Sequence, residues 1–472
     1  MSSQLPIDCL IKILECLEKD KTTLHSCLLV NHILCRISVE ILWRNIWSFY
    51  LATDKRISSR ILDTLIACLP NESKILINEI GILTEKSSLF NYASFCKVLS
   101  IDHIIKMICC NIEDPNHIIL SQIMKMFMKQ ISSLKMLIHF SYHQINILNF
   151  IDFSEAKNCL KNLSKLKCNS YTHAEFYHQI SQICHNIQKL DLVYCITISN
   201  NMKELISLQN DLKYLSLYYS ILGYGNYYNN CNDFVINIVP SLIIHSNTLT
   251  TLRLEGELPL SFITKLINLQ YLHFTIGNRN YESFKEMQYF TFPHLQILKL
   301  DKGFPIVEML IMLVEFLKNN GMNLKKLYMK NIYEDSYKYN DSILNLAIAL
   351  FCPNLKSLCT QFTKNVMKYI FQYCQRLEKI KLLSGIEYPF EGEQVLEIVG
   401  KYSSKNFHEL KLYSSGELGS VELESFFIDW KDASRKPISL IVSNYTFAKT
   451  KRNRKIIRKY KNLGVIKKFL KI

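Results

Sequence analysis

One short phrase recurs along most of this chain, and its regularity constrains the fold more than any other feature. We number its positions from the first apolar residue, so that apolar residues stand at positions 1 and 4 and usually at position 6. The copies are SLKMLIH at 133, NLSKLKC at 162, NIQKLDL at 186, DLKYLSL at 211, TLTTLRL at 248, NLQYLHF at 268, HLQILKL at 294, NLKKLYM at 323, NLKSLCT at 354, RLEKIKL at 376 and NFHELKL at 406, with a last one, NLGVIKK, at 462. From Leu134 to Phe407 eleven copies make ten steps over 273 residues, about 27 residues a step. A period of this length is typical of proteins that stack one strand–helix unit on the next.

The spacing within the phrase predicts a β-strand with one buried face. Because side chains alternate between the faces of a strand, positions 4 and 6 should point into the core, and positions 3, 5 and 7 should face outward. The segments between copies predict helices, as in PIVEMLIMLVEFLKNNG, where Gly321 stands at a helix C-terminus. Such a unit cannot bury its apolar face alone. The sequence therefore predicts an α/β solenoid, with a curved parallel sheet inside and helices outside, that offers an extended binding surface.

Residues 131–472 resemble leucine-rich repeats, in the subtype found in F-box proteins. Three copies carry a cysteine three residues before position 1, namely Cys184, Cys352 and Cys374, and this placement is similar to that of the cysteine-containing repeats. Other copies place Ser246 or Phe292 there.

Residues 1–47 differ in kind from the repeats. Apolar residues at helical spacing form three clusters, and Pro6 stands where the first helix can begin. Three short helices make a bundle whose core is too small to be very stable alone. We therefore expect this segment to pack on the repeats or on a partner.

This N-terminal segment resembles an F-box. It carries the family's Leu-Pro start, Ile-Leu pair, further leucines, Val and closing Trp as Leu5, Pro6, Ile13, Leu14, Leu17, Leu24, Val30 and Trp43. Many F-boxes have Trp four residues after the Val, where this chain has Leu34. The alternative is a generic helical cap. Residues 48–130 are predicted to form a helical linker. In a second interpretation, part of this segment consists of degenerate early repeats.

The resemblance implies a non-catalytic function. F-box proteins are substrate receptors of cullin-RING (SCF-type) ubiquitin ligases, in which the F-box binds a Skp-family adaptor and through it a cullin. The eight residues named above would then be adaptor contacts, and the repeats would hold the protein substrate. The receptor would act by raising the effective concentration of substrate lysines near the conjugating enzyme. The alternative is a leucine-rich-repeat scaffold with no ligase role.

The outward positions of the predicted strands become basic toward the C-terminus. Positions 3, 5 and 7 of the later copies supply the candidate substrate contacts Lys299, Lys326, Tyr328, Lys330, Lys379, Lys381, Lys411 and Tyr413. Charge complementarity chiefly sets encounter rate and partner choice, so this set favours an acidic or phosphorylated substrate segment. The alternative is that these are ordinary solvated lysines.

Basic residues are also concentrated at the end of the chain. The last forty residues hold thirteen Lys or Arg and no Asp or Glu, whereas the whole chain has a net charge of +15. We interpret them as a basic capping repeat, in which Ile456, Ile457, Tyr460 and Leu463 pack inward. A nuclear localisation signal in KTKRNRK at 449 is the alternative, and nucleic-acid binding is less favoured because no known binding fold accompanies the charge.

Sixteen cysteines without a C-x-x-C pair, and no secretory signal in residues 1–20, predict reduced thiols in a cytoplasmic or nuclear protein. The longest uncharged apolar stretch, 342–355, is shorter than the roughly 20 residues that span a bilayer. Motifs such as G-x-x-x-x-G-K, G-x-G-x-x-G and H-E-x-x-H do not occur. His139 and His143 are four residues apart but are expected on a strand and a loop. The sequence therefore predicts no enzyme, cofactor or metal site.

Overall fold

The structure, a computed structural model, describes residues 5–49, 55–79, 81–82, 87–112, 117–140, 154–170, 172–193, 199–218, 238–256, 258–276, 280–302, 307–331, 342–383, 392–413, 418–443 and 451–471. Within these residues it is an α/β fold with a fourteen-stranded open sheet, in which the strands follow one another in chain order. The assigned strand pairs are parallel. Internal contacts divide the chain into two compact units, Met1–Leu215 and Ser216–Ile472.

The strands are short, mostly of five or six residues. They are β1 Val98–Ser100, β2 Met136–His139, β3 Lys165–Asn169, β4 Lys189–Val193, β5 Tyr214–Tyr218, β6 Thr251–Glu255, β7 Tyr271–Ile276, β8 Ile297–Lys302, β9 Lys326–Asn331, β10 Ser357–Gln361, β11 Lys379–Leu383, β12 Glu409–Tyr413, β13 Ile438–Val442 and β14 Ile466–Lys471.

Helices precede the sheet and then alternate with its strands. They are α1 Ile7–Cys16, α2 Lys21–Cys27, α3 His32–Trp43, α4 Lys55–Ala67, α5 Asn71–Glu79, α6 Tyr92–Phe95, α7 Ile101–Asn111, α8 Ile118–Gln130, α9 Ala156–Leu160, α10 Ala174–Ile183, α11 Asn200–Ser207, α12 Tyr281–Met287, α13 Val307–Asn320, α14 Ser342–Phe351, α15 Lys364–Tyr373, α16 Gly392–Tyr402, α17 Ser420–Asp432 and α18 Lys451–Asn462. Residues 238–243 are also helical. Short 3-10 helices lie at Ile46–Phe49, Ser261–Lys265 and Gly321–Asn323.

The recurring phrase forms the strands as the sequence predicts. Its eleven copies from 133 to 406 are β2 to β12, and position 4 of every copy is at most 1% exposed. Register keeps these positions in line, since Leu327 of β9 pairs with Leu298 on one side and Leu358 on the other. The predicted alternation of buried and outward side chains is confirmed in β6, β11 and β12, whereas position 5 is also buried in β4, β5, β7 and β10.

A column of hydrogen bonds joins successive repeats at the place three residues before position 1. The Cys184 thiol donates to the carbonyl oxygen of Leu160 at 3.4 Å, and the Gln209 amide donates to that of Cys184 at 2.8 Å. The Cys374 thiol likewise donates to the carbonyl oxygen of Cys352 at 3.3 Å. Each acceptor occupies the same place one repeat earlier, so the polar groups of the turns are satisfied by stacking.

Asparagines just before position 1 form a second such column. Asn268 donates through Nδ2 to the carbonyl oxygen of Asn247 at 2.7 Å. Asn323 and Asn354 repeat this bond, each to a carbonyl oxygen of the repeat before. The frequent N-L start of the phrase is therefore a contact between repeats.

Gly321 follows α13, as predicted, but glycine is not required there for a left-handed helix C-terminus. Its φ is not positive, because it opens a 3-10 turn instead of a left-handed helix end. A Cβ here would stand 2.6 Å from the carbonyl oxygen of Phe351 and 2.7 Å from Sγ of Cys352. Glycine is required because the next repeat approaches this closely.

Two strands, β1 and β13, are not among the copies of the phrase given above. In β1, Leu99 pairs with Leu137 of β2, so the sheet begins inside the segment predicted as a helical linker. In β13, Leu440 pairs with Leu410 of β12, and Pro437 stands at position 1.

The C-terminal segment forms a strand–helix unit, although its register differs from the predicted one. Ile456 and Tyr460 of α18 are buried, but Leu463 is exposed, because Gly464 ends the helix with a φ of +72° just after it. In β14, Phe469 and not Ile466 lies opposite Leu440. The prediction that Leu463 packs inward is therefore wrong.

Candidate protein-interaction surfaces

The N-terminal segment folds as three short helices, α1 to α3, around a small apolar core. Leu14, Leu24, Ile37 and Ile41 are buried at its centre, and six partly buried side chains pack around them: Leu10, Ile11, Leu17, Cys27, Leu34 and Leu42. Asp20 and Asn31 cap α2 and α3 through their side chains. The predicted adaptor contacts Leu14, Leu17 and Leu24 thus contribute to the core of the bundle.

The bundle leaves a second set of apolar side chains in solvent. Among the predicted adaptor contacts, Leu5, Ile13 and Val30 are 55%, 51% and 64% exposed, and Pro6 is exposed as well. The structure adds three residues that the sequence reasoning missed, Ile7, Leu29 and Ile33. We call Leu5, Ile7, Ile13, Leu29, Val30 and Ile33 the exposed apolar set.

Helix α1 carries apolar residues on two sides. Leu10, Leu14 and Leu17 pack on the bundle core, whereas Cys9, Ile13 and Cys16 are exposed at helical spacing of four and three residues. An ordinary surface helix has one apolar stripe and one polar face. The sequence places Ile13 and Leu14 in one apolar stripe, and the structure shows that only Leu14 of the two is buried.

Trp43, the last predicted adaptor contact, packs inside the first unit. Its ring lies 4.6 Å from that of Tyr92 in α6. The neighbouring Trp47 is buried and donates from Nε1 to the carbonyl oxygen of Val98 at 2.7 Å. The carbonyl oxygen of Arg44 accepts from the backbone of Lys97 at 2.9 Å. These bonds tie the end of the three-helix segment to strand β1.

In the second unit, the outward positions 3, 5 and 7 form what we call the open face. On β6 to β8 its charges are paired. Arg253 bonds Glu255 at 2.5 Å, and Lys299 lies 3.6 Å from Asp301. Between these pairs, His273 is fully buried and lies 2.6 Å from Asp301 through Nε2. Apart from His273, the charged side chains of this part of the open face, Arg253, Glu255, Lys299 and Asp301, balance to zero.

The Asp301 carboxylate is held ionised by its neighbours. Burial acts to raise its pKa, but the hydrogen bond and the charge of His273, together with the charges of Lys299 and Lys330, outweigh it, so the pKa of Asp301 is lowered. The predicted contact Lys299 is therefore already neutralised by this carboxylate.

On β9 to β12 the open face is basic. Its charged side chains are Lys326, Lys330, Lys379, Lys381 and Lys411 against Glu409, a net charge of +4. Glu409 is shared, at 3.0 Å from Lys411 and 3.9 Å from Lys379. Lys381 lies over the ring of Tyr413 with Nζ 4.0 Å from its centre. Within the described part of the chain, no carboxylate lies within 4.0 Å of Lys326, Lys330 or Lys381, although Lys330 stands opposite Asp301 in register. These three are therefore the predicted lysine contacts without a close ion pair.

The buried cysteines serve packing. Burial raises the pKa of five thiols, those of Cys96, Cys159, Cys168, Cys184 and Cys374, to about 12. Such thiols stay protonated and unreactive near neutral pH. In the described residues we find no group of three or more His, Cys, Asp or Glu that could bind a metal ion. His143, paired with His139 in the sequence, lies outside the described residues.

No described helix is both long and apolar enough to cross a bilayer. No protein-family model matches the chain, and no curated protein matches it in sequence.

Proposed function

We propose that this protein is the substrate-recognition subunit of an SCF-type ubiquitin ligase. The three-helix segment would bind a Skp-family adaptor and through it a cullin, and the open face would bind the substrate protein. The protein itself would carry out no chemistry. It would bring substrate lysines close to the conjugating enzyme and so raise their effective concentration.

The exposed apolar set is the observation that carries this proposal. Six large apolar side chains on and around three short helices remain in solvent. The same helices bury Leu14 and Leu24 in a core of their own. Six exposed large apolar side chains within one small helical segment favour a partner that covers them. The F-box resemblance of residues 1–47 names the partner that such a surface would fit.

The test is co-purification of the full chain with a Skp-family adaptor. Replacing Ile13 and Val30 by Asp should weaken adaptor binding by about 2 kcal/mol or more for each side chain that is a hot spot, which is roughly 30-fold. The matched control is Leu89→Asp, since Leu89 is 91% exposed in the same unit but outside the three-helix segment. Adaptor binding by Ile13→Asp and Val30→Asp equal to that of the Leu89→Asp control would contradict the proposal.

Thiol chemistry supplies an independent readout. Cys9 and Cys16 are exposed on the same side of α1 as Ile13, whereas Cys109 and Cys110 are exposed on α7. Bound adaptor should slow the alkylation of the first pair and leave the second pair reactive. Unchanged alkylation of Cys9 and Cys16 in the complex would place the adaptor elsewhere.

A scaffold without ligase activity is the second candidate. Trp43 and Trp47 pack the three-helix segment against the start of the sheet, as an N-terminal cap would require. This candidate predicts that the Asp variants at Ile13 and Val30 leave partner binding by the repeats unchanged and that no adaptor co-purifies.

A further inference from the structure

Helix α14 carries an apolar stripe that the core of the repeats does not bury. Its inner side packs Leu344 and Ile348 into the core, whereas Ile343, Leu346 and Leu350, spaced by three and four residues, are between 41% and 57% exposed. None of the ten residues of α14 is charged. A surface helix of a soluble protein ordinarily turns a polar face outward, so this stripe favours a partner that covers it. An exposed isoleucine of the neighbouring helix α13 extends the stripe. We call these four side chains the α14 patch: Ile311, Ile343, Leu346 and Leu350.

The helices on either side of the patch carry opposite charges. Helix α13 has Glu308, Glu315 and Lys318, which sum to −1, and α15 has Lys364 and Lys368, which sum to +2. Helix α14 lies between them and contacts both. An uncharged apolar centre with an acidic flank and a basic flank can pair with a copy of itself, provided that the acidic flank of each copy meets the basic flank of the other.

The stacking of the repeats sets the level of each of these helices. Gly321, Cys352 and Cys374 stand at the same place, three residues before position 1, in successive repeats. Cys374 bonds back to Cys352, and a Cβ on Gly321 would stand 2.7 Å from Sγ of Cys352, so these three places adjoin one another. The residues six places earlier therefore form one row across the three helices: Glu315, Leu346 and Lys368.

We propose that the α14 patch binds a second copy of this chain, in a dimer whose two-fold axis runs along α14. A two-fold dimer pairs the same surface on both copies. About this axis Leu346 meets its own counterpart, and Glu315 of each copy faces Lys368 of the other. An axis across α14 would instead set glutamate against glutamate and lysine against lysine, which like-charge repulsion disfavours. The inference is independent of the ligase proposal, because the patch includes neither the three-helix segment nor the open face.

The two charged side chains of the row can make this contact. Glu315 lies 3.3 Å from Lys318 in an exposed pair, and pairs of this kind contribute little to stability. A carboxylate accepts several hydrogen bonds, so Glu315 can keep Lys318 and still accept from Lys368 of the other copy. Nζ of Lys368 lies 4.9 Å from the centre of the Tyr369 ring, and within the described residues no carboxylate lies within 4.0 Å of it.

The size of this face predicts a weak dimer. Helix α14 is ten residues long, which is about 15 Å at 1.5 Å a residue. Three helices packed about 10 Å apart are roughly 30 Å across. The flat face is then roughly 450 Å² in each copy, compared with about 800 Å² that each partner buries in a stable interface of standard size. We therefore expect monomer at low concentration and reversible dimer at high concentration.

The experiment measures the self-association of the full chain by sedimentation velocity over a series of protein concentrations. Leu346→Asp/Leu350→Asp should raise the dimer dissociation constant by about a hundredfold or more, because carboxylates of both copies would meet in the apolar contact. The matched control is Val421→Asp/Ile428→Asp, which changes two exposed apolar residues of α17 in the same unit and should leave the dimer unchanged. A wild type that is monomeric at every concentration, or an equal effect of both pairs of substitutions, would overturn the proposal.

Exchanging the charges of the row tests the orientation of the two copies. Glu315→Lys and Lys368→Glu should each weaken the dimer by about tenfold, since each sets like charges against one another across the axis. Glu315→Lys/Lys368→Glu restores the opposite-charge contacts with their signs exchanged and should recover the wild-type dissociation constant. These positions also keep the test decisive if the Asp variant does not fold, and unchanged melting temperatures verify the folding of each variant.

Only a pairing of α13 with α15 between two copies gives this loss and recovery. Failure of the double variant to recover would overturn the orientation and with it the proposed dimer. A chain that stays monomeric but binds a different protein through the α14 patch would assign the patch to another occupant and would overturn the proposal as well.

Discussion

The thiol of Cys374 donates a hydrogen bond to the carbonyl oxygen of Cys352, one repeat earlier, across 3.3 Å. Both side chains are fully buried, and burial raises the pKa of Cys374 to about 12, so the donor stays protonated at neutral pH. The cysteines three residues before position 1 therefore form hydrogen bonds between successive repeats. At these positions cysteine combines a small, apolar side chain with one weak donor.

Replacing Cys374 by Ala removes the sulfur and its bond. We expect the free energy of unfolding to fall by about 1–3 kcal/mol, since a small cavity forms and the carbonyl oxygen of Cys352 loses a donor. Chemical denaturation measures the change. The exposed Cys109→Ala is the control and should stay within about 0.5 kcal/mol of the wild type. A loss no larger than that of the control would show that the column contributes little.

Gly321 offers a sharper test of how closely the repeats approach. In Gly321→Ala the new Cβ would stand 2.6 Å from the carbonyl oxygen of Phe351, which is backbone and cannot move aside easily. We expect a loss of about 1–3 kcal/mol or more from overpacking. Gly400→Ala is the matched control, because its Cβ meets Phe426 at an ordinary 3.7 Å inside helix α16. That variant should be neutral or gain up to about 1 kcal/mol of helix propensity, and thermal unfolding of both variants decides the comparison.

The sequence predicts the repeated strands well because burial at position 4 demands an apolar side chain at a fixed spacing. It misses β1 and β13 for an equally physical reason. In β1, Cys96 and Ile101 take positions 1 and 6 around Leu99, and all three are fully buried. In β13, Pro437 replaces the first apolar residue of the phrase. The stacked core accepts several side chains of suitable volume, so a pattern that leaves out Cys and Pro at position 1 undercounts the strands.

The candidate sites were less accessible to sequence reasoning. The pattern that marks residues 1–47 as helical cannot distinguish Leu14, which is in the core, from Ile13, which is half exposed. Likewise, periodicity places Lys299 and Asp301 on one face of β8 but does not reveal that His273, one repeat earlier, also bonds Asp301 at 2.6 Å. Partnership between side chains depends on neighbours from other repeats, about 27 residues away, and only the fold brings them together.

The C-terminal unit should act as a structural cap. Tyr460 of α18 is buried and its ring lies 5.2 Å from that of Phe427 in α17. Tyr460→Ala should lower the free energy of unfolding by about 3–5 kcal/mol, as for other buried aromatic truncations. The exposed Lys461→Ala serves as control, and a similar loss in both variants would argue against a specific packing role.

The alternative interpretation of this basic segment, a nuclear localisation signal, can be tested separately at the same helix. Arg454 and Lys455 are exposed, so Arg454→Gln/Lys455→Gln should leave the melting temperature unchanged. If nuclear accumulation falls in this variant while Tyr460→Ala keeps its stability, the basic segment is a localisation signal and not a cap. We expect the opposite pattern, because terminal repeats shield the stacked core.

The last prediction concerns His139, which stands at position 6 of β2, where later copies carry Leu192, Leu217 and Leu254. The ring is 1% exposed, makes an edge contact with Phe176 at 5.0 Å, and has an Nδ1 without a hydrogen-bond partner in the described residues. Burial, with a smaller contribution from the charge of His173, lowers the pKa of His139 to about 4.

This lowered pKa fixes the sign of a pH effect. In the unfolded chain a histidine titrates near 6.5, so between about pH 6.5 and pH 4 the unfolded state binds more protons than the folded state. The stability associated with neutral His139 is therefore complete above about pH 6.5 and is lost as the pH falls toward 4. A difference of this size corresponds to roughly 3 kcal/mol. His139→Leu should remove this contribution to the change of the free energy of unfolding with pH. His185→Leu, at an exposed position in the same unit, should keep it. Denaturant unfolding at pH 7.5, 6 and 5 measures the slopes, and identical slopes in the wild type and His139→Leu would mean that the buried ring is not the titrating group.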